Sequence, residues 1–133
     1  MVQEELLQRS KQAMNMSYSP YSHFKVGASI LTQTGNIFTG SNIENVSYGL
    51  SMCAERVALF KALSEGHSVF TDLVISTSSS VPTFPCGACR QVLFEFCPDI
   101  KIHLTGIAER VFTLRDLLPY AFDVFQSKAG EIN

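Results

Sequence analysis

Between residues 24 and 112 the hydrophobic pattern changes period repeatedly, and that alternation is the strongest restriction on the fold. Phe24, Val26, Ala28 and Ile30 alternate along one face, Gln33-Thr34-Gly35-Asn36 supplies a turn, and Ile37-Phe38-Thr39 resumes the strand pattern; together they predict a β-hairpin. From about Met52 the residues Ala54, Val57, Ala58, Leu59, Phe60, Ala62 and Leu63 are apolar nearly all round a helix that Gly66 stops, which predicts a buried central helix. A strand over 69–76, a helix over 87–97 ended by Pro98-Asp99, a strand over 101–104 and its antiparallel return at Val111 and Phe112 follow. Upstream, residues 3–17 read as an amphipathic helix with its methionines as core filler. Downstream, Thr113-Leu114-Arg115-Asp116 has the form of a capping box and Pro119 closes the short helix it starts. Five strands with helices between them need crossovers, so the expected fold is α/β, a three-layer α-β-α arrangement around a mixed five-stranded sheet.

The chain has 133 residues, 46% of them hydrophobic, enough for one domain over 1–133 that buries roughly two-thirds of its unfolded surface. About 126–133 is expected to be a polar C-terminal tail or partner-contacting arm. With 17% charged residues and a formal net charge of -2, there is no electrostatic case for nucleic acid or an anionic membrane as a partner. Glu4, Glu5, Gln8, Arg9 and Lys11 interrupt any signal-peptide core, and no apolar run reaches membrane-spanning length. The expectation is a soluble, cytoplasmic protein, in which four cysteines point to metal or catalytic thiols rather than to disulfides.

Pro85-Cys86-Gly87-Ala88-Cys89-Arg90-Gln91 stands where a Ser/Thr/Pro loop over 77–85 runs into a helical pattern. Alone, such a pair is half a metal site, a redox dithiol or two inert thiols. Cys53, at the start of the preceding helix, adds a third sulfur, which the redox reading leaves without a role. Helix N-termini favour the thiolate, the form that binds metal, and Cys86 and Cys89 share a helical face. Three sulfurs and no matched fourth ligand leave a tetrahedral position open, as a catalytic zinc requires. Cys97 lies two turns beyond Cys89, roughly 12 Å along the axis, and is expected to be an inert buried thiol. Glu55, within the first turn after Cys53, suits proton transfer to and from a metal-bound water; the plainer reading is a solvated glutamate near a helix start. Arg56 is placed to draw charge from the sulfurs, or else is an exposed helix arginine. His23 and His67 in turns and His103 on a strand are expected at the surface or partly buried, and not as ligands.

Cys53-Ala54-Glu55-Arg56 combined with the Pro85 to Gln91 motif resembles the small, tetrameric class of cytidine deaminases. Tyr18-Ser19-Pro20-Tyr21-Ser22-His23-Phe24-Lys25-Val26-Gly27-Ala28 and Asn42-Ile43-Glu44-Asn45 extend the resemblance. It implies one zinc per chain on Cys53, Cys86 and Cys89, with Glu55 carrying protons while water attacks C4 of the pyrimidine and ammonia leaves. It further implies the Ala54 backbone and Phe24 at the base, Asn42 and Glu44 at ribose hydroxyls, and Phe122 donated from a neighbouring subunit of a homotetramer. Without the resemblance Asn42 and Glu44 are ordinary loop residues and Phe24 a strand core residue. An apolar segment over 117–125 also fits an oligomer.

The implied reaction is hydrolytic deamination of cytidine and 2′-deoxycytidine, a small-molecule salvage activity. A deaminase of an aminopyrimidine antibiotic such as blasticidin S shares the Cys-Ala-Glu and Pro-Cys-Gly-x-Cys elements, but the Asn42/Glu44 loop, the 21–28 stretch and Arg56 favour the nucleoside. A structural zinc module is the alternative from another class; it needs a fourth protein ligand and leaves Glu55 idle.

Overall fold

The computed structural model describes residues 3–106 and 109–123. In chain order the elements are α1 (Glu4–Met14), β1 (Val26–Thr32), β2 (Ile37–Ser41), α2 (Ala54–Ser64), β3 (Phe70–Thr77), α3 (Gly87–Phe96), β4 (Lys101–Leu104), β5 (Arg110–Thr113) and α4 (Leu114–Leu117), with a 3-10 turn at Tyr48–Leu50 before α2. The five strands form one sheet in the order β2-β1-β3-β4-β5. The hairpin pairs Leu31 with Ile37 and Ala28 with Gly40, and Gly35, at φ +94, makes its turn.

β1 is antiparallel to both β2 and β3, β3 is parallel to β4, and β4 is antiparallel to β5. Since β2 and β3 oppose the same strand, they run parallel to each other. α2 therefore crosses over β1 from β2 to β3, and α3 crosses from β3 to β4. Both crossover helices begin at the same end of the sheet, beyond the carboxyl ends of β2 and β3, where α/β sheets commonly bind ligands.

Burial follows the register. Ala28, Ile30, Leu73 and Ile75 join Ala58 and Leu59 of α2 and Leu93 of α3 in the main core. Leu31 and Val74 turn the other way, onto Leu6 of α1. Helices thus cover both faces of a mixed sheet, as the alternating periods require. Two glycines set how closely they sit. A Cβ at Gly27 would lie 2.1 Å from the Ser10 carbonyl oxygen of α1, and one at Gly40 would lie 2.4 Å from the Ala54 carbonyl oxygen of α2. Only a residue without a Cβ allows backbone to approach backbone this way, and at Gly40 the approach seats the first turn of α2 on the sheet.

Several expectations need correction. α1 ends at Met14 rather than at residue 17, so Met16 lies past the helix and is 76% exposed instead of filling the core. Phe24 precedes β1 and is not a strand residue. α2 buries one side, through Ala54, Ala58, Leu59 and Ala62, while Phe60 is 41% exposed; its apolar periphery is not wholly covered. His103 is buried, at 3% exposure; its Nε2 lies 2.7 Å from Asp72 Oδ2 on the neighbouring strand, which gives one of the two ring nitrogens a partner inside the fold, while Nδ1 has none among the described residues. The capping box forms as expected: Thr113 Oγ1 accepts from the Asp116 N–H and Asp116 Oδ2 accepts from the Thr113 N–H. The tail expected over 126–133, and residues 124–125 of the apolar segment, lie outside the described residues.

Candidate active site

Cys53 is the N-cap of α2, Cys86 is the N-cap of α3, and Cys89 stands in the first turn of α3. The shared starting end of the two crossover helices brings them together. Cys53 Sγ lies 3.8 Å from Cys86 Sγ, and Cys86 Sγ lies 3.5 Å from Cys89 Sγ. All three sulfurs fall within 4.8 Å of one another. A tetrahedral zinc with Zn–S bonds of about 2.3 Å needs sulfurs about 3.8 Å apart, so the cradle fits the ion. The Cys89 N–H points at Cys86 Sγ from 3.5 Å, and two helix N-termini converge on the sulfurs, which favours thiolate. Among the described residues no further His, Cys, Asp or Glu joins the cluster. Cys97 sits in the core with its thiol donating to the Leu93 carbonyl at 3.3 Å, and burial pushes its pKa up to about 12.

Three adjacent thiols cannot all ionise without a cation. The hydrogen bond from Cys89, followed by that from Arg56, lowers Cys53 to about 5 against the cost of burial. Cys89 is driven far above the ordinary thiol range, first by that same bond to Cys53 and then by burial. A divalent metal is the partner that releases the remaining protons. Arg56 Nη2 donates to Cys53 Sγ at 3.4 Å, and that bond is the first cause of its raised pKa. Its buried Nε has no hydrogen-bond partner among the described residues.

Beside the sulfurs opens a cavity of about 280 Å³ lined by Phe24, Asn42, Glu44, Cys53, Ala54, Glu55 and Cys86. It therefore gathers most of the residues that sequence reasoning singled out. Glu55 is buried in the first turn of α2, and burial carries its carboxyl up to about 7, the range in which a group both takes and returns a proton near neutral pH. Asn42 is braced on both ends of its amide: Nδ2 donates to the Phe24 carbonyl at 2.7 Å, and Oδ1 accepts from the Val26 N–H at 3.0 Å and from the Ser17 hydroxyl. Glu44 accepts from the Tyr21 and Ser22 N–H groups and from the Ser22 hydroxyl, which holds its carboxyl below the usual range.

Phe122 is not among the cavity's lining residues. It is 79% exposed on the segment after α4, and its carbonyl accepts from Gln91 Nε2 at 2.9 Å. Arg90 braces the same region, donating to the Pro85 carbonyl at 2.8 Å and to the Leu117 carbonyl at 2.6 Å. Sequence reasoning missed Phe84, which lines the cavity and packs tilted on Phe112 at 5.1 Å. Its signal was a large aromatic in a polar loop two residues before Cys86. Ser51, Met52, Ile75 and Thr83 also line the cavity, and nothing in their local sequence marks them.

Residues 1–104 match the family described as the cytidine and deoxycytidylate deaminase zinc-binding region. A cytidine deaminase of Halalkalibacterium halodurans is 45% identical over 125 residues, covering 92% of this chain and 95% of the relative. The crystal structure of a cytidine deaminase from Burkholderia pseudomallei superimposes with a TM-score of 0.87 at 44% identity, over 92% of this chain and all 100% of that one. One from Mycobacterium tuberculosis gives 0.80 at 39% identity, over 90% and 96%. Sequence likeness this high, carried along nearly the whole chain and through both cysteine motifs, goes beyond a shared fold, and the chain belongs to the cytidine and deoxycytidylate deaminase family.

Proposed function

We propose that this protein catalyses the zinc-dependent hydrolytic deamination of cytidine and 2′-deoxycytidine to the uracil nucleosides and ammonia. The observation that carries the reading is a glutamate, Glu55, buried beside three converging sulfurs in a cavity suited to a small molecule. Cys53, Cys86 and Cys89 would hold one zinc per chain, which supplies the Lewis acidity that makes water a nucleophile at neutral pH. Glu55 would take one proton from the attacking water and deliver it to the ring nitrogen of the base, then carry the second proton from the new C4 hydroxyl to the departing amine as the C–N bond breaks. The Ala54 backbone and Phe24 place the pyrimidine, and Asn42 and Glu44 receive sugar hydroxyls. Arg56 draws charge from Cys53, offsetting the surplus of three thiolates over one divalent ion.

Glu44 and Glu55 are the charged residues other than cysteine that line the cavity, and no lysine or arginine does so among the described residues. That supports a neutral nucleoside over a phosphorylated substrate or a polynucleotide. The braced Asn42 and Glu44 favour a hydroxyl-bearing sugar over the antibiotic, and a three-sulfur cluster favours catalysis over a closed structural zinc.

We assign the protein to a cytoplasmic homotetramer that shares its sites. Supporting this are the exposed Tyr48, Leu50, Phe60, Tyr120 and Phe122, more apolar surface than a lone small domain needs to show. Phe122, from its exposed segment, would enter a neighbouring site. The four free thiols fit a reducing compartment, and no helix among the described residues is long and apolar enough to cross a membrane. Ultraviolet monitoring of cytidine loss tests the activity, with Glu55→Ala as the control. The expected outcome is full zinc content with turnover reduced by at least about a hundredfold; undiminished turnover in the variant refutes the mechanism.

A further inference from the structure

Glu44 is held by one short stretch of chain. The Tyr21 and Ser22 N–H groups donate to Oε1 at 3.0 and 3.2 Å, and the Ser22 hydroxyl donates to Oε2 at 2.5 Å. The same hydroxyl accepts from the Phe24 N–H at 3.0 Å. A hydroxyl has one proton to give; the Phe24 amide takes a lone pair and the carboxylate has no proton of its own, so the Ser22 proton goes to Glu44. His23, between them, adopts φ +59, a left-handed conformation uncommon outside glycine. That reversal lets the amides of residues 21 and 22 face Glu44 while Phe24 turns back to the cavity.

We infer that Ser22 is a positioning residue that locks the Glu44 carboxylate to the Phe24 backbone and so sets recognition of a single sugar hydroxyl. This rests on the reading that Glu44 binds the sugar. An ionised carboxylate offers about four acceptor sites. Oε1 uses two and Oε2 uses one, which leaves room for one hydroxyl. The lock matters because Glu44 stands between two hollows: the site cavity, and a second of about 340 Å³ lined by Tyr21, Ser22, Glu44, Tyr48 and Ser51. Without the Ser22 hydroxyl Oε2 loses its partner, and the carboxylate, held only through Oε1 by the two backbone amides, can turn Oε2 towards the second hollow and away from the substrate.

Steady-state kinetics of the zinc-loaded enzyme with cytidine, 2′-deoxycytidine and 3′-deoxycytidine test this on wild type, Ser22→Ala, Ser22→Thr and Glu44→Gln. The deoxynucleoside that wild type handles worst identifies the hydroxyl that Glu44 accepts. Ser22→Ala is expected to raise KM for cytidine about tenfold, the equivalent of ~1.4 kcal/mol, with kcat within about twofold, the signature of lost uniform binding. Ser22→Thr, which keeps the hydroxyl, restores KM. On the poorest deoxynucleoside, Ser22→Ala changes KM less than about twofold, because the hydroxyl that it helps to bind is already missing. A KM unchanged in Ser22→Ala but raised in Glu44→Gln overturns the positioning role alone, as does an equal penalty on all three substrates. A cytidine KM unchanged in Glu44→Gln overturns the sugar-binding reading and this inference with it.

Discussion

Removing the charge at residue 55 is expected to abolish turnover and, in the metal-free protein, to raise stability. Burial is the first cause that carries the Glu55 carboxyl from 4.5 to about 7, and the neighbouring Cys53 charge adds to it. At ~1.36 kcal/mol per pKa unit, keeping the carboxylate in place costs the folded chain about 3 kcal/mol. Between those two values the folded chain binds more protons than the unfolded one, so the Glu55 contribution to stability falls as pH rises through the window and the penalty is complete above it. Glutamine keeps the size and the polar end but cannot ionise, so the variant lacks this decline. Denaturant unfolding of Glu55→Gln and wild type, with zinc removed by a chelator and protein concentration fixed, checks the difference. The two proteins should agree to within about 0.5 kcal/mol near pH 4.5 and separate to about 3 kcal/mol by pH 8, the variant being the more stable. Cys53, lowered to about 5, shifts stability the opposite way but is common to both proteins and largely cancels. A gap that is absent at pH 8, or equally large at both pH values, refutes the claim that a desolvated carboxylate is being held against its preference.

Arg56→Ala should keep the fold and lose about tenfold or more in zinc affinity or turnover, since a hydrogen bond to a charged group is worth ~1.5–3 kcal/mol; wild-type rates at full zinc content defeat the role given to Arg56. At Gly40 a Cβ would meet the Ala54 carbonyl at 2.4 Å and the Ala58 amide at 2.5 Å, both backbone atoms that cannot swing aside. Gly40→Ala should therefore cost about 1–3 kcal/mol by overpacking and lower zinc content by shifting the first turn of α2. Gly49→Ala, with nothing within 4 Å, should leave thermal midpoint and zinc content unchanged, and equal behaviour of the two glycine variants would count against the seating of α2 on β2.

What the sequence disclosed and what it hid divide along the range of the interactions involved. β4 falls on the residues expected, and the Thr113 capping box closes as its spacing implies, because strand period and cap chemistry are decided within a few residues. The ends of α1 and β1 were misplaced where turn geometry took over, at Met16 and Phe24. His103 was hidden because its partner, Asp72, lies on another strand, a pairing that exists only once β3 and β4 are in register. The same holds at the site. Cys53, Glu55, Cys86 and Cys89 announce themselves by chemical type, whereas Phe84 gives only the weak signal of a large aromatic in a polar loop and Ser22 becomes legible only when a residue such as His23 enters the left-handed region.

The convergence of the cysteines shows how these levels connect. Nothing in the separation of Cys53 from Cys86 says that their sulfurs meet at 3.8 Å. The meeting follows from topology: β2 and β3 are each antiparallel to β1, so they end on the same side, and helices that leave them begin on the same side. An N-cap at each helix start then delivers a thiol to one place, with the helix amides already turned towards it. The site therefore depends on β1 as much as on any ligand. A substitution that disturbs β1 pairing or the seat of α2 should lower zinc binding before it unfolds the sheet, whereas loss of Glu55 should leave the cradle whole and remove only the carboxyl group proposed to carry the proton.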